Sequence, residues 1–447
     1  VYKPMPDALF GYGRRPRQAL CGSAIFLLLN FLYRTSVPMT TKHSATAELV
    51  AVGDEVLAGH TVNSNASHLA IALATVGVEV RWHAAVGDRE DDIVDALRRA
   101  CRRASVVLVC GGLGPTPDDL TRHAASRLLD VPLDESPEAL EHMRRIFESM
   151  CRSMAESNRR QTLFPRGATL MPNDNGTAWG FNIACEGTPC YFLPGVPKEL
   201  YAMTPGVLRD IAARVEGAAL RHVAQLRTVG IGESDMVVRL GELLTRGGDP
   251  EVGTYASEGI LTIRVIGRRK DEVDRLADSI AERLNDLVYT RDDRSLEEVV
   301  VQTMSGSGRT LALAESCTGG LVGEMITRVS GSSAVLVEGA VVYSNEAKTR
   351  TCGVPAESIE RHGAVSEPVA KALAVGMRER TGADYAISIT GIAGPTGGTE
   401  TKPVGLVYIG LADKGGTEVR ECRFGANRER NRQRSARTAL DMLRRRL

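Results

Sequence analysis

The sequence predicts an α/β protein in which two three-layer α/β domains, each with a mainly parallel sheet, are joined by a small α+β domain. Towards both ends of the chain, short apolar runs alternate with helical stretches of about 10–15 residues, the pattern of a parallel sheet covered by helices on both faces. Between these regions the predicted elements follow a β-α-β-β-α order instead. The length of 447 residues agrees with about three domains of ~150 residues each.

The expected boundaries are 1–44 for an N-terminal extension, 45–216 for a first domain, 217–295 for a middle domain and 296–447 for a last domain. In the first domain, strands are predicted at 49–52, 79–82, 105–110 and 191–193, with helices at 64–76, 91–102 and 136–160. In the middle domain, strands are predicted at 224–229, 252–255 and 260–266, with helices at 234–244 and 271–287 and a polar linker at 291–294. In the last domain, strands are predicted at 310–314, 339–343, 385–390 and 404–411, with helices that begin at Gly319, Ser366 and Asn427.

The first 44 residues differ from the rest of the chain. Arginines at 14, 15 and 17 precede an apolar run at 24–29, which superficially resembles a signal peptide. The run is broken by Asn30 and is too short to span a bilayer. We expect residues 1–38 to be a non-native extension of a protein that starts near Met39, and we expect no membrane partner.

Composition restricts the class of protein. Lys plus Arg and Asp plus Glu both number 55, and this zero net charge argues against a dedicated nucleic-acid binder. The nine cysteines are an odd number and lack the C-x-x-C spacing of a zinc or redox site. We therefore expect reduced, mostly buried cysteines in a cytoplasmic protein.

Glycines and carboxylates follow the strands of the first domain. In the loop 111–121, glycines let backbone amides approach a phosphate, and carboxylates can hold a divalent cation that bridges phosphate oxygens. Pro117 stands where a dinucleotide fingerprint requires glycine, so a nicotinamide-dinucleotide site is not expected. Each segment alone could be a tight turn, but together they favour a phosphate site at the sheet edge. The candidate residues are Gly53, Asp54, Glu55, Gly112, Gly114, Thr116, Asp118, Asp119 and Gly195, with Asp119 as the candidate metal ligand.

In the last domain, Ser316 is a candidate nucleophile. The segment 315–320 follows an apolar strand and opens a helix, whose free N–H groups suit an anion or an oxyanion. Taken alone, the segment is equally well explained as a turn in which Ser and Thr cap the helix. The clusters 343–348, 390–395 and 424–428 also fall in loops and should converge on the same sheet edge.

A serine nucleophile needs a base. His362 is the single histidine of the last domain, but only Glu360 and Glu367 could orient it. Lys348 is the better candidate, because the first turn of a helix disfavours positive charge and lowers the pKa of a lysine. Tyr343 could relay the proton. The alternative is that Lys348 is an ordinary solvated surface lysine.

The first domain resembles the molybdopterin-binding (MoaB/MogA-like) domain found at the N-terminus of CinA proteins. The resemblance rests on the segments 53–55, 111–121, 193–199 and 175–178, together with Asn158, Arg160, Gln161 and Pro165. It implies metal-dependent hydrolysis of ADP-ribose, with a divalent cation as cofactor. The family pattern has Ala-Pro-Gly where this chain has Ala178-Trp179-Gly180, so we expect the Trp179 ring to reshape one wall of the pocket.

The last domain resembles the CinA C-terminal, or PncC, family along its whole length. The matching segments are 314–320, 331–333, 343–348, 362–366, 390–395 and 402–405. The resemblance implies hydrolysis of the carboxamide of nicotinamide mononucleotide to nicotinate mononucleotide and ammonia, without a cofactor. It implies Ser316 as nucleophile and Lys348 as base, with Tyr343 and Thr390 beside the reacting centre. The implied substrate-binding residues are Thr318, Gly319, Gly320, Gly391 and Arg428.

Two details of this resemblance matter for the site. Arg428 matches the arginine of a Gly-Asp-Arg motif and would bind the substrate phosphate, although one extra residue separates it from Gly425 here. The tetrahedral oxyanion would be held by N–H groups near Thr318 and Gly319.

Other functions remain open at this point. CinA proteins are named for competence and DNA damage, and the segment 428–434 is rich in arginine, but its apolar stripe indicates a helix packed on the sheet. The first domain could instead perform molybdopterin-type adenylyl transfer. The expected partners are small nucleotides, namely nicotinamide mononucleotide and ADP-ribose, and a second copy of the chain in a homodimer, without nucleic acid.

Overall fold

The computed structural model describes residues 45–245, 247–257, 259–425 and 427–447, so the predicted extension at 1–44 lies outside the described residues. The chain is an α/β protein with mainly parallel sheets, as the sequence predicts. Within the described ranges, no helix is long and apolar enough to cross a membrane. Most of the described cysteines are buried, and all of them are free thiols.

The first domain contains eight strands and six α-helices among its described residues. In chain order they are β1 (Thr46–Val52), α1 (Asp54–Leu57), α2 (Ser64–Ala74), β2 (Glu79–Val86), α3 (Glu90–Cys101), β3 (Val106–Cys110), α4 (Thr121–Leu129), β4 (Leu133–Glu135), α5 (Pro137–Ser149), β5 (Leu163–Pro165), β6 (Thr169–Met171), β7 (Gly180–Cys185), β8 (Thr188–Leu193) and α6 (Pro197–Arg214).

Six of these strands form one sheet in the spatial order β2-β1-β3-β8-β7-β6. The first four are parallel, whereas β7 and β6 continue the sheet as antiparallel neighbours. Leu69 of α2 and Leu200 of α6 are buried on one face of the sheet, and Ile93 of α3 and Ala124 of α4 on the other. The domain therefore has the expected three layers.

The predicted helix at 136–160 is wrong in its second half. Helix α5 ends at Ser149, and Cys151 adopts a left-handed backbone conformation with φ of 52° that turns the chain away. A 3-10 helix at Glu156–Thr162 follows instead. The short strands β6 and β7 were not predicted.

The middle domain is a four-stranded antiparallel sheet, in the order β10-β11-β9-β12, covered by helices. Its elements are β9 (His222–Val229), α7 (Glu233–Leu240), β10 (Glu251–Ser257), β11 (Ile260–Gly267), α8 (Lys270–Leu284) and β12 (Val288–Thr290). The predicted β-α-β-β-α order is present, and β12, which was not predicted, adds the fourth strand at the edge of the sheet.

The elements of the last domain are α9 (Leu296–Gly306), β13 (Leu311–Glu315), α10 (Leu321–Thr327), β14 (Leu336–Val341), α11 (Asn345–Cys352), α12 (Ala356–His362), α13 (Glu367–Thr381), β15 (Tyr385–Gly391), β16 (Leu406–Asp413), β17 (Gly416–Arg423) and α14 (Arg428–Arg446). Its sheet has the order β14-β13-β15-β16-β17, and β14, β13 and β15 are parallel. Helices α9, α10 and α14 cover one face, and α11, α12 and α13 cover the other.

The strand β14 ends two residues earlier than predicted, so Val342 and Tyr343 lie in the loop at the carboxyl edge of the sheet. The β13–α10 and β14–α11 loops both leave this edge, as expected for neighbouring parallel strands. The segments that carry Ser316 and Lys348 are thereby brought together.

The middle and last domains share one hydrophobic core. Val229 of β9 and Tyr289 of β12 are buried in the same cluster as Leu296, Val300 and Leu440 of the last domain. The buried residues of the clusters in the first domain all lie between Ala45 and Val215, and only Ala218 packs against them from beyond residue 216. The last two domains are therefore packed together as one body.

Candidate active sites

Ser316 lies immediately after β13, in a tight turn that leads into α10. Its backbone N–H donates to Ile389 O at 2.9 Å, and its carbonyl accepts from the N–H of Gly319 at 3.1 Å. Gly319 and Gly320 both have left-handed backbones, with φ of 65° and 93°, which glycine adopts without steric cost. Ser316 is thus held on a fixed turn and is only 8% exposed.

Lys348 is buried and reaches Ser316. Its Nζ lies 3.2 Å from Ser316 Oγ, 2.9 Å from Val342 O and 3.1 Å from Tyr343 O. A neutral amine has two N–H groups and one lone pair. The two carbonyls can accept the two N–H groups, which leaves the lone pair directed at the Ser316 hydroxyl. The arrangement suits a base that removes the serine proton.

The environment of Lys348 shifts its protonation towards the neutral amine. Burial lowers the pKa of the Lys348 ammonium below the ordinary lysine value of 10.5. Cys317, Cys352 and Glu346 oppose this shift without reversing it. The alternative interpretation of Lys348 as a solvated surface residue is wrong, since its side chain is 2% exposed.

The start of helix α10 is not a free anion site, and this prediction needs correction. The buried carboxylate of Glu315 accepts from the N–H groups of Gly320, Val322 and Gly323 at 2.9–3.1 Å. The helix start is therefore neutralised by the residue that precedes Ser316. Glu315 ties strand β13 to α10 and fixes the turn between them.

The remaining donors for an oxyanion are in the turn itself. Gly319 N–H, one of the expected donors, is used by Ser316 O. Within the described part of the chain, no backbone carbonyl accepts from the N–H groups of Cys317 and Thr318. Of the expected donors near Thr318 and Gly319, the N–H of Thr318 therefore stays available, and the N–H of Gly319 does not. The hydroxyl of Thr318 is buried without a partner.

Tyr343 contacts Lys348 through its backbone carbonyl, and Thr390 is the residue after Ile389, whose carbonyl accepts from Ser316. The Tyr343 carbonyl accepts from Lys348, whereas its ring is 59% exposed and its hydroxyl accepts from Arg428 Nη2 at 3.2 Å. Thr390 donates to Ala364 O at 2.8 Å and follows the residue that accepts from Ser316 N–H. Among the described contacts, neither hydroxyl is bonded to Lys348 or to Ser316.

Arg428 reaches the site despite the widened spacing from Gly425. Its Nη1 donates to Gly394 O at 2.8 Å, and the residue is exposed. It therefore links Tyr343 to the loop that follows Gly391, the last residue of β15. This location is compatible with a phosphate at the rim of the site.

The structure disfavours His362 as the base and Cys317 as the nucleophile. His362 is exposed at the end of α12, where its carbonyl accepts from Lys402 Nζ, and the described contacts of Ser316 do not include it. Cys317 is adjacent to Ser316, but burial raises the pKa of its thiol to about 12. A neutral buried thiol is a poor nucleophile. The geometry therefore favours the serine and the lysine.

The first domain holds a separate cavity of about 690 Å³ at the carboxyl edge of its sheet. All of its predicted site residues except Asp54 line this cavity. Asp54 instead accepts from Asp88 N–H, and Asp88 accepts in return from Asp54 N–H. A Cβ on Gly111 would lie 2.1 Å from Val52 O, so only glycine permits this close approach of the loop to β1.

Asp119 stabilises the loop 111–121, called the glycine loop below. Its two oxygens accept from Gly114 N–H at 2.7 Å, Thr116 N–H at 2.8 Å and Thr116 Oγ1 at 2.6 Å. Behind the loop, Arg122 is buried against the Phe164 ring, and burial lowers its pKa to about 10, so it remains a cation at neutral pH. A rigid glycine loop with a cation behind it suits an anionic ligand.

A divalent cation fits this cavity only together with a ligand. Glu55, Asp88, Asp118, Asp119 and Glu199 line the cavity and are oxygen donors of the kind that Mg²⁺ prefers. Yet within the described residues no three acidic, histidine or cysteine side chains are grouped closely enough to hold a metal ion. Mg²⁺ commonly uses one or two carboxylates plus substrate phosphates, and the donors present fit that mode.

Sequence reasoning missed Asp88 and the segment 63–65. Burial raises the pKa of Asp88, and the negative charges of Asp54, Glu55 and Asp119 raise it further. Asp88 follows the end of the parallel strand β2, so the rule that identified 53–55 would also have identified it. Asn63 caps helix α2, whose first turn lines the cavity.

Trp179 does not reshape the cavity wall as expected. Its side chain is 9% exposed and packs in the core beside His142, with ring centroids 5.4 Å apart. Ala178, not Trp179, lines the cavity. Trp179 belongs to the same buried cluster as Phe164 and Phe181, so its ring packs into the hydrophobic core of the domain.

The fold and the two sites define a multidomain α/β protein with a Ser–Lys site in one three-layer domain and a cavity lined by a glycine-containing loop and carboxylates in another. Its sequence matches three described families. Residues 48–214 match the "Probable molybdopterin binding domain", residues 224–290 the "Damage-inducible protein CinA KH domain" and residues 293–447 the "CinA C-terminal domain".

Similar proteins span nearly the whole chain. A "CinA-like protein" of Citrifermentans bemidjiense is 42% identical over 400 residues, which cover 89% of this chain and 96% of the relative. A "Putative competence-damage inducible protein" of Caldanaerobacter subterraneus subsp. tengcongensis is 39% identical over 403 residues, which cover 89% and 97%. The solved competence/damage inducible protein CihA of Agrobacterium tumefaciens is 38% identical over 34% of this chain and 97% of its own, with a TM-score of 0.32. The chain belongs to the CinA family.

Proposed function

We propose that the last domain is a deamidase that hydrolyses nicotinamide mononucleotide to nicotinate mononucleotide and ammonia. The observation that carries this proposal is the 3.2 Å contact between the buried Lys348 Nζ and Ser316 Oγ. A Ser–Lys pair with free N–H groups beside it is equipped for acyl transfer from an amide. The choice of substrate comes from the family resemblance of this domain.

In the proposed reaction, Ser316 Oγ attacks the carboxamide carbon and its proton passes to Lys348 Nζ. The N–H groups of Cys317 and Thr318 stabilise the tetrahedral oxyanion. The C–N bond then breaks, and ammonia leaves with the proton from Lys348. A water molecule, deprotonated by Lys348, hydrolyses the acyl-enzyme and releases nicotinate mononucleotide. Arg428 would contact the substrate phosphate at the rim.

The direct test is to incubate the purified full chain with nicotinamide mononucleotide, with and without a chelator, and to measure ammonia and nicotinate mononucleotide. We expect equimolar amounts of both products and no effect of the chelator. Absence of both products from folded protein would refute the proposal.

The deamidase rate should rise with pH. The active form needs neutral Lys348, and burial lowers the pKa of this lysine, so the neutral fraction grows at a lower pH than for a free lysine. We expect kcat/KM to increase as the pH rises and to level off with a midpoint below 10.5. A rate that falls over the same range would contradict neutral Lys348 as the base.

We propose as a second activity that the first domain hydrolyses ADP-ribose with a divalent cation. The observation that favours it is the 690 Å³ cavity with a glycine loop on one wall and five carboxylates around it. Such a cavity offers backbone amides to a pyrophosphate and oxygen ligands to its cation. When bound, the cation would neutralise phosphate charge. A parallel screen with nucleoside triphosphates and a pterin acceptor distinguishes hydrolysis from adenylyl transfer.

Asp119→Ala should lower ADP-ribose hydrolysis by about 10-fold or more and leave the deamidase rate unchanged. The variant removes three hydrogen bonds that hold the glycine loop and one carboxylate of the cavity. Release of AMP measures the effect, and Asp95→Ala, at an exposed aspartate of α3, is the control. A Mg²⁺ titration separates the two roles, because only loss of a ligand weakens cation binding. Parallel loss of both activities would instead indicate a folding defect.

A further inference from the structure

Helix α14 contacts the loops of the Ser–Lys site with its first two turns. Asn431 Nδ2 donates to Ala393 O at 3.0 Å, and Arg428 reaches the neighbouring Gly394 O. Arg432 contacts the Ser316 turn itself, since its Nε and Nη2 donate to Thr318 O at 3.2 Å and 2.9 Å. Arg432 lies 114 residues from Thr318 in the sequence, so no local pattern indicates this contact.

The peptide that joins Thr318 to Gly319 is held at both ends. Arg432 binds its carbonyl oxygen, and Ser316 O accepts its N–H at 3.1 Å. Thr318 is fully buried in this arrangement, and loss of the Arg432 side chain would remove both hydrogen bonds that its carbonyl accepts from the guanidinium. The turn that carries the free N–H groups of Cys317 and Thr318 is thereby fixed in one orientation.

The donors of Arg432 are directed at protein groups. Besides the two hydrogen bonds to Thr318 O, its Nη1 donates to Glu429 Oε2 at 2.9 Å. The side chain is half-buried between α14 and the turn. Arg428, by contrast, is exposed at the rim. The two arginines, one helical turn apart, therefore have different surroundings.

We propose that Arg432 is a positioning residue for the deamidation reaction, and that it acts by fixing the Ser316 turn so that the N–H groups of Cys317 and Thr318 face the oxyanion. It contacts neither the substrate nor the reacting atoms. The inference rests on the proposed deamidase function. Misplacement of preorganised donors reduces the rate of the chemical step more than it reduces substrate binding.

The test compares Arg432→Met with Arg430→Met, which removes an exposed arginine from the same helix. We expect Arg432→Met to lower kcat by about 100-fold, with KM within about twofold and the midpoint of the pH profile unchanged, because Lys348 keeps its surroundings. Arg430→Met should match the wild type. Arg432→Lys should recover part of kcat, since one ammonium can still donate to Thr318 O.

Three outcomes would overturn the inference. A large rise in KM with unchanged kcat would show that Arg432 binds substrate directly. Unchanged kinetics in folded Arg432→Met, or equal loss in Arg432→Met and Arg430→Met, would show that the contact with Thr318 O does not matter for the reaction.

A second measurement separates this inference from the choice of substrate. A fluorophosphonate reacts with an activated serine: the Ser316 Oγ–P bond forms, the P–F bond breaks, fluoride leaves and Lys348 takes the serine proton. The phosphoryl oxygen would use the same N–H donors. If the wild type is labelled but does not deamidate nicotinamide mononucleotide, the substrate proposal fails while the labelling rate still tests Arg432. We expect slower labelling in Arg432→Met than in Arg430→Met, and equal rates would refute the inference.

Discussion

Ser316→Ala should lower the deamidation rate of nicotinamide mononucleotide by a factor on the order of 10³ or more. The substitution removes the hydroxyl that Lys348 Nζ contacts and leaves the turn in place, because the Ser316 backbone makes the hydrogen bonds to Ile389 and Gly319. Substrate binding should largely persist, since Arg428 and the backbone N–H groups are unchanged. Release of ammonia under single-turnover conditions measures the rate, and a binding titration measures affinity.

The control is Ser333→Ala, at an exposed serine of the same domain. It should retain wild-type kinetics. Full activity in Ser316→Ala would mean that a different residue attacks the amide, and accumulation of an acyl adduct on another residue would identify it.

Lys348→Met should lower the rate by a factor comparable to that of Ser316→Ala. Methionine preserves much of the side-chain volume in this buried position but has no amine to accept the serine proton. The double variant should be little slower than either single one, because the two residues act as a unit. Steady-state kinetics of the three variants measure this coupling.

Lys371→Met is the matched control, because Lys371 is an exposed lysine on α13 of the same domain. His362→Ala tests the rival base and should be close to wild type. An active Lys348→Met variant together with an inactive His362→Ala variant would replace the Ser–Lys assignment with a Ser–His pair.

Local sequence patterns were sufficient to predict the parallel sheets and the helices that cover them, because apolar strands that alternate with helices have few other stable arrangements. They were insufficient where the neighbours come from distant segments. The pKa of Lys348 was expected to fall because of the helix start, yet burial is the leading cause in the structure. Burial depends on how α11 packs over the sheet, and no window of sequence contains that information.

The same limit explains the errors around Ser316. The sequence predicts free N–H groups at the start of α10, after Glu315 and Ser316. In the structure, the Glu315 carboxylate accepts hydrogen bonds from these N–H groups. Which N–H groups remain free depends on this side-chain contact and on the turn that Gly319 closes. The role of Arg432 was missed for a related reason, since its partner lies in a turn more than 100 residues earlier.

Strands β9 and β12 share a hydrophobic core with α9 and α14. This shared core restricts where the chain can be divided into fragments or joined in chimaeras. Val229 and Tyr289 fill space inside the last domain, so a break at 291–294 would leave an apolar surface open on both fragments. A break at 217–221 separates clusters that share no residue. In chimaeras between relatives, the middle and last domains should therefore be exchanged together, and the first domain can be exchanged as a separate module.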